Sequence, residues 1–160
     1  MTKTLVAYFS RTGEQYGVGN ITKGNTAILA EIIAEQTGAD LFEIKVVNDN
    51  YPNGYNPLVQ YAKQEKQANA RPEITGKVQN FDEYDTVFIG YPNWWGDMPM
   101  PVYTFLESYD FTGKNIHNFC THEGSGGVHR EDFAIYGHIP QNNPEEAKTK
   151  VSDWLKTLSL

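Results

Sequence analysis

At 160 residues, with 39% hydrophobic and 21% charged residues, the chain has the size and composition of a single globular domain, residues 1–160, that can bury a core of its own. Its formal charge of -7 argues against nucleic acid, whose phosphates it would repel, and for solubility or docking on basic partners. No apolar stretch approaches the length of a bilayer span, and the first residues lead directly into a strand with no signal peptide, so the expected location is the cytoplasm, away from membranes.

Thr4 to Ser10 is a nearly continuous apolar run bounded by Lys3 and Arg11, the pattern of a central parallel strand covered on both faces. It breaks into Ser10-Arg11-Thr12-Gly13, and after a polar excursion Gly24-Asn25-Thr26 opens a helix. The helix carries Ile28, Leu29, Ile32 and Ile33 as a buried stripe, Glu31 and Glu35 outside it, and Gly38 as the stop. Backbone N–H groups at a helix start are unpaired, so with the hydroxyls of Ser10, Thr12 and Thr26 they form a ready phosphate site.

Leu41 to Val46 reads as a strand nearer the sheet edge, and the Asn-, Pro- and Gly-rich stretch Asn48 to Asn56 as a loop. Pro57 stands at the first turn of a polar, superficial helix reaching about Asn69. Thr86-Val87-Phe88-Ile89-Gly90 is a second central strand ending in Tyr91-Pro92-Asn93-Trp94-Trp95-Gly96. A helix is predicted over Pro99 to Tyr109, and a strand over Asn115 to Thr121 empties into His122-Glu123-Gly124-Ser125-Gly126-Gly127. Phe133 to Tyr136 is the last strand, and Pro144 to Leu158 a terminal helix with Ala147, Val151, Trp154, Leu155 and Leu158 on one face.

Strands alternating with helices imply a parallel sheet with right-handed crossovers, and in such sheets ligands bind outside the carboxyl ends of the strands, where all three special loops lie. Only five residues separate Gly127 from Phe133, whereas two parallel strands are usually joined by roughly a dozen or more. The crossover helix between the last two strands is therefore expected to be shortened or absent, leaving apolar sheet surface that a homodimer would bury.

Gly19 to Thr26 matches the spacing G-x-x-x-x-G-x-T of a nucleotide-binding loop, but Asn25 stands where the lysine should, which favours a phosphate monoester over a nucleoside triphosphate. In the second loop, Trp94 and Trp95 cannot both point inward easily, so one is expected to present its face to a flat aromatic ligand. Thr121 to Gly127 offers backbone N–H groups with little side-chain bulk, suited to the carbonyl and imide edge of a heterocycle. Cys120, the one cysteine, reads as a buried inert thiol, and His117, His122, His129 and His138 lack the i, i+4 pairing of a metal site. No metal and no catalytic acid or base is expected.

These three loops resemble the FMN loops of flavodoxins, and the similarity covers nearly the whole chain. The resemblance implies a flavodoxin-like three-layer α/β/α sandwich with a parallel five-stranded sheet of order 2-1-3-4-5. By it, Ser10, Thr12, Gly13, Asn25 and Thr26 would hold the FMN phosphate, with Arg11 in the same loop and Gly24 as the other candidate turn glycine. Pro92, Asn93, Trp94, Trp95 and Gly96 would line the isoalloxazine, and Thr121, His122, Glu123, Gly124, Ser125 and Gly126 would border its pyrimidine edge. The pattern departs from the family at the insertion Glu14 to Lys23, which splits the phosphate motif, and at the short passage after Gly127. The implied function is a low-potential electron carrier docking on basic redox proteins, with Glu123 and the -7 charge disfavouring an anionic reduced flavin. An NAD(P)H-dependent quinone or flavin reductase, or an FMN-bound regulatory module, would use the same three loops.

Overall fold

In the computed structural model, which describes residues 3–158 and 160, the chain runs β1 (Thr4–Tyr8), a hairpin of β2 (Gly13–Gln15) and β3 (Gly19–Ile21), α1 (Asn25–Thr37), β4 (Asp40–Glu43), α2 (Tyr55–Gln67), β5 (Thr86–Pro92), α3 (Met100–Glu107), β6 (Asn115–His122), β7 (Phe133–Tyr136), α4 (His138–Asn142) and α5 (Pro144–Lys156). Five strands form one parallel sheet in the order β4-β1-β5-β6-β7, the 2-1-3-4-5 arrangement, and β2 and β3 form a separate two-stranded hairpin.

The unbroken apolar run of β1 follows from its position. Leu5 and Ala7 face a core layer that includes Leu58 of α2 and Val102 and Phe105 of α3. Val6 and Tyr8 face the opposite layer with Leu29 and Ile33 of α1 and Ala147 and Val151 of α5. Both faces of the strand are thus withdrawn from water, and alternation would bury polar groups. In β5, Gly90 pairs with Phe119, and a Cβ at Gly90 would lie 2.0 Å from the Phe119 ring. The missing side chain is what lets that ring lie across the strand.

The helices differ from the sequence reading mainly in where they end and what they cover. α2 runs Tyr55–Gln67 with Pro57 in its first turn as expected, but it is not superficial, because Leu58 and Ala62 are buried one turn apart. β4 ends at Glu43, and Val46 instead makes an isolated antiparallel bridge to Ile74. α5 starts at Pro144 with the Asn143 side chain accepting from the Glu146 N–H, an N-cap reinforced by Glu145 and Glu146 in the positive first turn.

No helix separates β6 from β7 among the described residues, as the five-residue passage implied. A loop takes its place, pinned from within by Asp132. The fully buried carboxylate of Asp132 accepts from the Tyr91 hydroxyl at 2.9 Å and from the N–H groups of Val128 and His129 at 3.0 and 3.1 Å. The loop lays Val128 on the core that holds Tyr91 and Cys120, both 0% exposed. Outside that cover, Ile116 on β6 and Tyr136 on β7 stay 44% and 46% exposed, with the buried Cys120 between them.

Candidate functional site

The carboxyl ends of β1, β5 and β6 surround a cavity of about 500 Å³. Its deep end is the start of α1. Ser10 Oγ accepts from the Ala27 N–H at 3.0 Å, while the N–H groups of Asn25 and Thr26 have no partner among the described residues, and no acidic side chain occupies the first turn. An open N-terminus of this kind attracts a phosphate by dipole and by directed donors. The Thr26 and Thr121 hydroxyls bond to each other at 2.7 Å and are both buried, tying the first loop to the third.

Of the two candidate turn glycines, Gly24 is the one wedged into this end. A Cβ there would sit 2.0 Å from Ser10 Oγ and 2.7 Å from the Arg11 carbonyl oxygen, whereas Gly13 belongs to β2 and lies against the Asn53 backbone. Arg11 lines the cavity and reaches away from it, its guanidinium bonding Asp49 at 2.8 Å and lying over the Tyr51 ring at 5.1 Å. Its Nε is buried without a partner among the described residues.

The second loop is knitted to the third by Asn93. Its N–H donates to the Thr121 carbonyl, its Nδ2 to the Gly126 carbonyl at 2.9 Å, and its Oδ1 accepts from the Gly96 N–H at 2.8 Å. The two tryptophans take different orientations. Trp94 turns inward, edge-on to Phe9 at 5.3 Å and Tyr51 at 5.5 Å. Trp95 stays 45% exposed at φ +59°, with its indole N–H donating to the Val59 carbonyl at 2.8 Å, Lys63 over its ring and Lys66 on its carbonyl oxygen.

In the third loop His122 Nδ1 accepts from the Gly124 N–H, and its ring leans on Tyr136. Glu123 turns toward the α1 end: its carboxylate accepts from the His138 N–H at 2.6 Å, meets His138 Nδ1 at 2.8 Å, and lies beside Gly137, whose own neighbour is the Asn25 side chain. Cys120 lies beneath, its thiol pushed up to about 12 by burial and by Asp132, so it stays protonated and unreactive.

Ser10, Arg11, Asn25, Thr26, Pro92 through Gly96, Thr121, His122, Glu123 and Ser125 all line the cavity. Thr12, Gly13, Gly24, Gly124 and Gly126 do not, the glycines of the third loop serving as its turns. Lining residues outside the three loops are Gln15 and Tyr16 of the hairpin and Tyr55, Leu58, Val59 and Ala62 of α2. The i, i+1, i+4 spacing of Leu58, Val59 and Ala62 was the signal for an apolar helix face here. Among the described residues there is no group of three or more His, Cys, Asp or Glu able to hold a metal.

Burial holds the His117 and His122 imidazoles below their ordinary value, with Glu123 opposing the shift at His122. His117 packs on Phe88 and its Nε2 is buried without a partner among the described residues. A histidine whose folded pKa is lowered contributes stability above its unfolded value of about 6.5, and that contribution is lost as pH falls through the folded value. The urea midpoint should therefore drop between pH 7.5 and pH 5, and drop less in a His117→Asn/His122→Asn variant. Equal drops in the two proteins would refute this assignment.

An open parallel sheet with a phosphate-ready helix start and an aromatic-lined cavity at its switch point defines a nucleotide-cofactor-binding α/β protein. The flavodoxin family model matches residues 3–157, and the chain belongs to that FMN-binding family. Among solved structures, a Bacteroides eggerthii DSM 20697 protein described as a flavoprotein is 27% identical with a TM-score of 0.73, covering 100% of this chain and 99% of its own. A flavoprotein from Lactobacillus acidophilus NCFM, solved in complex with FMN, is 26% identical with a TM-score of 0.65, over 82% of this chain and 81% of its own. A Bacteroides uniformis ATCC 8492 protein, likewise described as a flavoprotein, is 28% identical with a TM-score of 0.64, over 84% and 87% of the two chains. Among curated proteins, none matches the chain.

Proposed function

We propose that the protein holds FMN in this cavity and serves as an electron-transfer protein. The observation that carries the reading is the continuity of one cavity from the open start of α1, with Ser10, Asn25 and Thr26, to the apolar and aromatic wall of Trp94, Trp95 and α2. A phosphate monoester at one end and a flat ring at the other match that sequence of surfaces, and the loop has no G-x-G-x-x-G turn for a pyrophosphate. Bound FMN supplies the redox chemistry, and the chain's part is to bind it, orient it and tune it. The buried thiol of Cys120 adds no second redox centre.

The -7 charge steers basic partners at long range. At contact distance a partner approaching the exposed indole of Trp95 meets Lys63 and Lys66, so the docking surface in this reading is mixed in sign. Stopped-flow mixing of the oxidised flavoprotein with NADH and NADPH tests the function. Absence of bleaching, with one-electron steps on photochemical reduction, is the expected result; fast bleaching followed by quinone turnover would make the protein a reductase.

A further inference from the structure

The insertion that splits the phosphate motif folds as the β2–β3 hairpin, and its contacts run across the mouth of the cavity. At its base, Glu14 donates its N–H to the Asn53 carbonyl and its carboxylate accepts from the Tyr55 N–H at 2.6 Å. At its tip, Gly17 lies against the Glu123 side chain, a Cβ there being 3.1 Å from the carboxylate. The hairpin thus spans from the start of α2 to the third loop. Its turn residue Tyr16 lines the cavity yet is 62% exposed, paired with the ring of Tyr55 at 5.8 Å and an interplanar angle of 37°.

Two tyrosine rings held together at the rim of a cavity, with open ring surface and no core to fill, are placed to receive another flat ring. We propose that the hairpin is the outer wall of the flavin site, laying Tyr16 and Tyr55 at the cavity rim against the bound flavin. The inference rests on the FMN reading above and gives the insertion a role that the three loops do not.

FMN-loaded protein diluted into flavin-free buffer reports the wall directly through the recovery of free-flavin fluorescence. Tyr16→Ala should release FMN about tenfold faster and show brighter bound flavin, while Tyr16→Phe, which keeps the ring, should stay within about twofold of the parent. Tyr16 stands at an exposed turn, so thermal melting of the variants should match the parent, and Tyr55→Ala should reproduce the faster release. If the parent holds FMN and both alanine variants release it at the parent's rate with unchanged bound fluorescence, the wall is refuted and the FMN reading stands. A parent protein that neither carries nor takes up FMN would overturn the FMN reading and the wall with it.

Discussion

Gly24→Ala should weaken FMN binding by about a hundredfold or more, because the added carbon cannot be placed without moving the phosphate end of the cavity. It would lie 2.0 Å from Ser10 Oγ and 2.7 Å from the Arg11 carbonyl oxygen, and relief requires shifting either the end of β1 or the first turn of α1. Either shift misdirects the N–H groups of Asn25 and Thr26, and hydrogen bonds to a charged partner are worth roughly 1.5–3 kcal/mol each. Gly13→Ala is the matched control: it strains a positive φ of 85° in the hairpin but leaves the start of α1 in place, so its FMN affinity should stay nearer the parent's. Fluorescence titration with FMN decides between them, and a Gly24→Ala protein that binds FMN within a few-fold of the parent would remove Gly24 from the site.

The adjacent tryptophans should separate stability from binding. Trp94→Ala empties a volume walled by Phe9 and Tyr51 and should cost about 3 kcal/mol, since Trp or Phe to Ala in a core costs roughly 3–5 kcal/mol and Trp94 is only partly buried. For a chain of this length that corresponds to a melting temperature lower by roughly 6–12 °C. Trp95→Ala removes a half-exposed ring and leaves the φ of 59° no more strained than before, since both residues carry a Cβ, so its melting temperature should change little while FMN release accelerates. Urea or thermal unfolding of both variants measures the contrast. A Trp94→Ala protein as stable as the parent would mean that the aromatic cluster with Phe9 and Tyr51 contributes nothing.

What could be read from residues alone tracks how strongly burial constrains them. β1 and β5 carry unbroken apolar runs because both faces are covered, and their identity and parallel order follow from that pattern. The missing crossover was legible by counting, since no helix fits between Gly127 and Phe133. The hairpin left no such trace. Its strands are three residues each, Gly-Glu-Gln and Gly-Asn-Ile, with Ile21 the one buried side chain, so alternation has nothing to register. α2 was misread as superficial because ten of its thirteen residues are polar or aromatic with hydroxyls or a proline, and only Leu58, Val59 and Ala62 mark the inward face. The direction of Glu123 depended on His138, fifteen residues on and brought near by the return of β7, a proximity that no local pattern encodes.

The hydrogen bond from the Tyr55 N–H to the Glu14 carboxylate has a thermodynamic meaning beyond holding the hairpin down. It caps α2, whose own N-cap, Gly54, offers no side chain for the purpose. Lifting the hairpin off the cavity therefore also uncaps a helix, at a cost of about 1 kcal/mol, which shifts the ratio of closed to open molecules roughly fivefold toward closed. Entry to the cavity and fraying of α2 are in that sense linked equilibria, and by reciprocity a ligand that favours the lowered hairpin must also quiet the first turn of α2.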